Sequence, residues 1–329
     1  MSTITAHWFG TGWAGLAVLL GYAVVALAHL VGLRRMTRSG SMPMAHAPGG
    51  DGARPGDVPA RPDLIRQAVA FQLGLLFAVL AVVSPIGYWS TVYVWVHGLQ
   101  DLLLAFLAPG LIVLGAPWQP LRWCWRPPGA AASLAGETSP AGQARDRLLR
   151  AAPAGPAVGR WWLARPVAVA VAFNAVWLGW HLPALFDPTR SSALAALAEY
   201  ACYLGVGVLF WLQLIGSRPS VPAASPLRRF ALVTSTVITS TVLGMILVFG
   251  SGVYYPAFAG TAHHVLTLVD DQQLSGAVLW MGMLPQAVVV AVALLLRWLD
   301  DEESGDLSAG FDRLLVRRKS AWPSRPGLR

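Results

Sequence analysis

The chain has 329 residues, of which 55% are hydrophobic and only 12% are charged, and its formal net charge is +8. A mean hydropathy of +0.55 excludes an ordinary soluble domain of this length. The positive charge does not indicate a nucleic-acid partner, because the arginines stand beside apolar stretches and no basic fold motif accompanies them; membrane topology and anionic lipid headgroups explain them better.

Seven apolar stretches are long enough to cross a bilayer as a helix, which takes about 20 residues. In chain order they cover about 11–33, 67–85, 96–115, 162–181, 196–215, 229–250 and 274–298. We therefore predict an all-α, polytopic membrane protein with seven transmembrane helices. The first stretch has no basic segment before it and no small-residue cleavage site before Arg34, so we interpret it as a retained span and not as a signal peptide.

The basic residues indicate how these helices are oriented. Of the 24 lysines and arginines, only Arg190 falls in a loop that is predicted to face outward. The others gather at the predicted inner ends of the spans, as the positive-inside rule requires. The pattern predicts an outer N-terminus at 1–10, a transmembrane domain over 11–298 and a cytoplasmic tail over 299–329.

Two of the predicted inner loops have the composition of disordered segments. They cover about 39–63 and 127–157, are rich in small residues and proline, and show no apolar periodicity. We expect neither loop to contribute to the helical bundle.

Most polar residues in or beside the spans lie near the predicted outer face. His97 and Asp101 are one helical turn apart near the start of the third span, so they share a helix face. His181 ends the fourth span, Glu199 opens the fifth, and Asp271 precedes the seventh. Ionisable groups at membrane depth normally face the interior of a bundle, which makes these residues candidates for a functional site.

Each candidate also has a structural interpretation. His97 and His181 can be interfacial histidines that hydrogen-bond to a neighbouring loop, and Asp101 can accept hydrogen bonds from a helix end. Asp271, or the aspartate before it, can be the N-cap of the last span, with Gln273 completing a capping box.

Other possible metal ligands are less well arranged. His263 and His264 share an outer loop but, as neighbours, would diverge by about 100° on a helix and could not easily bind one ion. Met245, Met281 and Met283 lie on the last two spans, and methionine with histidine suits Cu⁺. Methionine in a membrane helix is more often a packing residue. No nucleotide-binding or zinc-protease motif occurs, and we predict that the protein is not an enzyme.

A series of short motifs runs through the chain in a fixed order over roughly residues 60–300. They are Ser84-Pro85, His97-Gly98-Leu99-Gln100-Asp101, Ala108-Pro109, Trp180-His181-Leu182-Pro183, Phe186-Asp187, Ser217-Arg218-Pro219, Tyr254-Tyr255 and Asp271-Gln272-Gln273-Leu274-Ser275-Gly276. With the seven-helix layout, this series resembles the multi-spanning CtaG family of cytochrome c oxidase assembly factors. The resemblance implies a multi-pass protein of the bacterial plasma membrane that helps mature a haem–copper oxidase and handles copper for it at the outer face.

The resemblance also implies a site and partners. His97, His181, Glu199 and Asp271 match the family's positions, and together with Asp101 they would be the metal ligands; the ion would be copper, and the partners would be subunits of the oxidase within the lipid bilayer. The chain departs from the family pattern at Asp101 and Tyr200, where histidines are usual. Because carboxylate and phenol oxygens favour harder ions than imidazole does, these departures weaken the expectation of a soft-metal site.

Two other functions fit the same sequence features. A copper or proton transporter or channel would use Asp101, but it needs polar residues that continue to the inner side, where the spans offer only Gln72, Asn174 and Gln213. A membrane haem-binding protein would need histidines of two spans that face each other across the bundle at similar depth.

Overall fold

A computed structural model of the chain describes residues 13–38, 61–124, 165–215, 226–259 and 265–296, the last range with gaps at 286, 289–290 and 293–294. Within these ranges the structure is helical and contains no β-strand, which confirms the predicted all-α class. The predicted outer N-terminus, the tail after 299, the loop at 127–157 and both His263 and His264 lie outside the described residues. Residues 61–63, predicted to end a loop, form the first turn of a helix instead.

The described helices are α1 (Trp13–Arg38), α2 (Arg61–Val83), α3 (Pro85–Trp89), α4 (Val94–Leu114), α5 (Trp118–Cys124), α6 (Pro166–Trp180), α7 (Pro183–Ser191), α8 (Ala193–Leu214), α9 (Pro226–Phe249) and α10 (268–285). A 3₁₀ turn, Pro256–Phe258, lies between α9 and α10. The first, second, third, fifth and sixth predicted spans correspond to α1, α2, α4, α8 and α9, and their ends differ from the prediction by a few residues.

Five of these helices, α1, α2, α4, α8 and α9, are long and apolar enough to cross a membrane. The pair α6 and α7 forms a sixth candidate span, with a bend of 65° between its two parts. On α1 the large apolar side chains of Leu20, Val24 and Leu27 are 58%, 67% and 63% exposed. An apolar surface of this kind suits contact with lipid and not with water, so the chain is a multi-pass membrane protein.

The predicted seventh span begins at 268 in the structure, earlier than the predicted 274, and helical residues recur after α10 at 287–288, 291–292 and 295–296. The number of seven spans and the orientation of the two termini stay predictions.

Pro183 explains the bend between α6 and α7. It is the first residue of α7, and the residue before a proline is driven out of the helical region. Leu182 accordingly has φ −72° and ψ 132°, and His181 ends α6 as its C-cap. As a result, α7 turns away from the axis of α6 at the level where α4 and α8 begin.

The α8 helix packs closely against a π turn in α4. The turn covers Leu103–Leu107, immediately after the helical turn that carries Asp101. Pro109 follows it, and a proline ring crowds the carbonyl four residues back, here that of Ala105. Gly207 of α8 lies against this region, where a Cβ would be 2.4 Å from the carbonyl oxygen of Ala105. The two helices can therefore lie this close only because position 207 has no side chain.

A layer of aromatic rings fills the bundle beyond the turn that carries Asp101. Its members are Phe106, Phe173, Trp177 and Phe210, all buried. The ring centroid of Phe106 lies 5.0 Å from that of Phe173 and 5.4 Å from that of Trp177. The rings of Phe173 and Phe210 are 4.9 Å apart. The centre of the bundle is thus apolar at this level.

Candidate metal site at one end of the bundle

Four of the five predicted site residues meet at one end of the bundle. His97 and Asp101 come from α4, Glu199 from α8, and His181 from the bend between α6 and α7. Their exposed fractions are 4%, 0%, 0% and 5%. Ligand atoms of His97, Asp101 and Glu199 all lie within 4.8 Å of one another. We refer to these four residues as the His–Asp–Glu group.

The carboxylate of Asp101 lies between two imidazole rings. Nε2 of His97 is 3.7 Å from Oδ1 of Asp101, and Nε2 of His181 is 3.7 Å from Oδ2. On its other side, Nε2 of His97 is 3.2 Å from Oε2 and 3.3 Å from Oε1 of Glu199. Three separate segments of the chain therefore point ligand atoms at one small volume.

Backbone carbonyls determine which ring nitrogen of each histidine carries hydrogen. Nδ1 of His97 lies 3.3 Å from the carbonyl oxygen of Ser90, and Nδ1 of His181 lies 2.7 Å from that of Trp177. A carbonyl oxygen can only accept, so both Nδ1 atoms donate. In the neutral ring, Nε2 then carries a lone pair directed at the carboxylates. Histidines that bind metals are commonly held in this way by a second hydrogen bond.

If both rings are neutral and the carboxylates ionised, the Nε2 lone pairs face carboxylate oxygens, and this arrangement is repulsive. Nε2 of His181 and both carboxylate oxygens of Asp101 are buried without a hydrogen-bond partner in the described part of the chain. A buried polar atom left in this state costs about 1–3 kcal/mol. Protons on Nε2 of the rings, or a metal ion bound between the nitrogens and the carboxylate oxygens, would remove the repulsion. The donor set fits a metal ion.

Phe186 of α7 covers the group. Its side chain is buried, and its ring centroid lies 4.5 Å from that of His97 and 6.1 Å from that of His181. It also lies 4.3 Å from the ring of Tyr255, whose hydroxyl donates a hydrogen bond of 2.9 Å to the carbonyl of His181. Burial raises the pKa of Tyr255, so the hydroxyl keeps the proton that this bond needs.

Arg190 fastens α7 to two neighbouring segments. Its Nε donates to the carbonyl of Thr91 at 2.8 Å, and a terminal nitrogen donates to the carbonyl of Ala257. The guanidinium carbon lies 5.6 Å from the ring centroid of Phe258. The basic residue that stands alone in the predicted outer loops therefore joins α7 to the segment before α4 and to the 3₁₀ turn.

Asp271 is buried close to the start of α4 but is not a member of the group. Its Oδ2 accepts from the amide of Val94 at 2.9 Å, and its Oδ1 accepts from that of Trp95 at 3.1 Å. The preceding residue, Tyr93, makes no side-chain capping bond. Asp271 thus supplies the N-terminal cap of α4 from another helix.

The interpretation of Asp271 as the N-cap of the last span is wrong. The helix begins at 268, and Thr267 is its cap: the hydroxyl of Thr267 accepts from the amide of Asp270 at 3.1 Å and lies 2.6 Å from Oδ2 of Asp270. Gln273 does not complete a capping box; its side-chain amide donates to the carbonyl of Gly250 at 3.4 Å.

The other residues that the sequence suggested near the site do not belong to the His–Asp–Glu group. Tyr200 accepts a hydrogen bond of 3.3 Å from Gln100, which also donates to the carbonyl of Ala81. Met245 and Met281 are exposed on the outside of the bundle. Met283 is buried and lines a small apolar cavity together with Phe106. None of these three methionines therefore supplies a sulfur ligand to the His–Asp–Glu group.

Tyr203 belongs to the site although no sequence motif indicates it. It is fully buried, and its hydroxyl lies 3.4 Å from Nδ1 of His181. The signal was its spacing: Glu199 and Tyr203 are four residues apart on α8 and so share a face. A single tyrosine at that spacing is common in membrane helices and carries little information alone.

The sequence of this bundle matches a known family over most of its length. A family model described as cytochrome c oxidase caa3 assembly factor (Caa3_CtaG) matches residues 53–301. The chain belongs to this family. The match includes every residue of the His–Asp–Glu group and confirms the resemblance that the motifs indicated. No curated protein and no solved structure matches the chain.

Proposed function

We propose that this protein is a non-enzymatic assembly factor for a haem–copper oxidase and that it handles copper at the outer face of the bacterial plasma membrane. Membership of the family supports the role in oxidase assembly. The observation that carries the metal proposal is the buried cluster of ligand atoms from His97, Asp101 and Glu199, with the imidazole of His181 beside Asp101 and with acceptor atoms that have no hydrogen-bond partner in the described residues.

In this proposal, copper is cargo and not a resident cofactor. His97 and His181 would bind the ion through Nε2, with oxygens of Asp101 and Glu199 as further ligands. The carbonyls of Ser90 and Trp177 hold the two rings in the required tautomer. The site would then present the ion to a subunit of the oxidase in the same membrane.

A transporter or channel is the second candidate, and the structure favours it less. Of the polar residues that could continue a path, Gln72 lies 3.3 Å from Nδ1 of His29, and Asn174 donates to the carbonyl of Ala170 and to Ser235. Asn174 lies on α6 between Phe173 and Trp177, two members of the aromatic layer, and is hydrogen-bonded away from the group. An ion or proton would have to pass a layer with little polar contact.

A haem-binding function has less support still. The two histidines are at similar depth, as that function requires, but the carboxylate of Asp101 lies between their Nε2 atoms. A haem iron bound by both rings would need that same space.

The proposed function is tested by replacing both histidines, His97→Ala with His181→Ala, in cells grown with limiting copper. Oxidase activity should fall while the level of the variant protein in the membrane persists. His29→Ala is the matched control, because it removes another fully buried histidine that lies outside the group. Normal oxidase activity in the double variant would refute the proposal.

A further inference from the structure

We propose that the His–Asp–Glu group takes a divalent ion, Cu²⁺ or Zn²⁺, in preference to Cu⁺, and that Asp101 sets this preference. The inference rests on the proposed function, because it concerns the same site, and it specifies the charge of the ion that the site accepts. Two features of the group support it: its own charge and, among the described residues, a set of ligand atoms without sulfur.

The charge of the group matches a divalent ion. When an ion is bound by both neutral imidazoles and both carboxylates, Asp101 and Glu199 contribute two negative charges, and all four residues are at most 5% exposed. A divalent ion cancels both charges, whereas Cu⁺ leaves one uncompensated. A net charge buried in a low-dielectric interior is costly, so the divalent ion is favoured.

The donor atoms also favour a divalent ion. Thiolate and thioether sulfur select Cu⁺, whereas imidazole with carboxylate suits Cu²⁺ and Zn²⁺. Among the described residues, no cysteine belongs to the group of ligand atoms around His97. Cys202 is on the same helix as Glu199, yet it is not one of the ligands.

Three of the donor residues, His97, Asp101 and Glu199, are close enough to share one ion. Donors at about 2.0–2.1 Å from a tetrahedral ion are separated from one another by roughly 3.3–3.4 Å. In the group, the separations are 3.2 Å between His97 and Glu199, 3.7 Å between His97 and Asp101, and 3.7 Å between Asp101 and His181. The ligand atoms of His97, Asp101 and Glu199 all lie within 4.8 Å of one another, and Nε2 of His181 adjoins them through Asp101.

Replacing Asp101 with asparagine changes the charge of the group without changing the size of the side chain. Its two oxygens face the two different rings, and both oxygens lack a hydrogen-bond partner in the described structure. In Asp101→Asn the side chain keeps its size, but the group keeps only one negative charge. Cu⁺ would then be neutralised and a divalent ion would not, so the order of preference should move toward Cu⁺.

The experiment uses the purified full-length protein in detergent, freed of metal. Zn²⁺ and Cu²⁺ are titrated against chelators of known affinity, and Cu⁺ is titrated in the same way without oxygen. The wild-type protein should bind one divalent ion, with nitrogen couplings in the electron paramagnetic resonance spectrum of the Cu²⁺ form. Asp101→Asn should weaken Zn²⁺ binding by at least about 100-fold, because even outer contacts of a metal site contribute about 10–100-fold.

The ratio of Zn²⁺ affinity to Cu⁺ affinity, compared between the wild type and Asp101→Asn, tests the inference. Cu⁺ binding should fall much less in Asp101→Asn than Zn²⁺ binding does. Asp270→Asn is the matched control: Asp270 is an exposed aspartate next to a buried one at the start of α10, so the affinities should not change.

Two outcomes would overturn the inference. If the wild-type protein prefers Cu⁺, or if Asp101→Asn weakens all three ions equally, charge does not select the ion, and the role in oxidase assembly is untouched. If the wild-type protein binds no ion, the inference and the copper part of the proposed function both fail. The oxidase activity of the double-histidine variant would still report separately on the assembly role.

Discussion

Replacing Gly207 with alanine perturbs the contact that brings α8 against α4. A Cβ at position 207 would lie 2.4 Å from the carbonyl oxygen of Ala105 and 2.6 Å from Cγ of Pro109. Since carbon–oxygen contacts between helices are normally about 3.3–3.6 Å, the two backbones must separate by about 1 Å. Neither neighbour can swing aside, because one is backbone and the other is a proline ring.

The size of the effect follows from two opposing contributions. Overpacking of a well-packed interior typically costs about 1–3 kcal/mol. Alanine in place of glycine in a helix stabilises by about 1 kcal/mol. We therefore expect Gly207→Ala to lower the free energy of unfolding by up to about 2 kcal/mol.

The same displacement should reach the metal site. Glu199 lies about two helical turns before Gly207 on α8, and its oxygens are 3.2 and 3.3 Å from Nε2 of His97. A shift of about 1 Å in a positioned ligand can cost on the order of 100-fold in function. We expect weaker Zn²⁺ binding and lower oxidase activity in the Gly207→Ala variant.

Gly205→Ala is the matched control, because it lies on the same helix and a Cβ there meets nothing within 4 Å. Thermal unfolding in detergent, Zn²⁺ affinity and oxidase activity are measured for both variants. Gly205→Ala should be as stable as the wild type or slightly more so. Equal behaviour of the two variants in all three measurements would refute the close contact between α8 and the π turn.

Two further predictions concern Asp271 and the orientation of the chain. Asp271→Ala should lower the free energy of unfolding by about 1–3 kcal/mol, because it removes two hydrogen bonds to a buried helix end, and it should leave one metal ion bound. Asp270→Ala is its control, because it removes only an exposed hydrogen bond from Thr267; loss of the ion in Asp271→Ala at unchanged stability would identify Asp271 as a ligand instead. A reporter fused after Asp301 should behave as cytoplasmic, because basic residues resist translocation. An outward-facing reporter at that position would contradict the predicted topology.

The long helices could be predicted because apolar composition and helical period are properties of neighbours in the chain. The α1 and α2 helices illustrate this, since uninterrupted apolar runs specify both. The fourth span is predicted as one straight helix, but in the structure it ends before Pro183, and α7 continues at a bend of 65°. The local signal of a proline indicates a break but not the direction that the chain takes after it.

The pairing of His97 with Asp101 was determined by the sequence alone, because residues four apart on a helix share a face whatever surrounds them. Only the tertiary structure decided that His181 and Glu199 join this pair and that Asp271 instead caps a helix 177 residues away. Such partners depend on how closely helices approach, which small residues such as Gly207 permit. Helical period acts within one segment, whereas hydrogen bonds and ligand contacts are formed between segments.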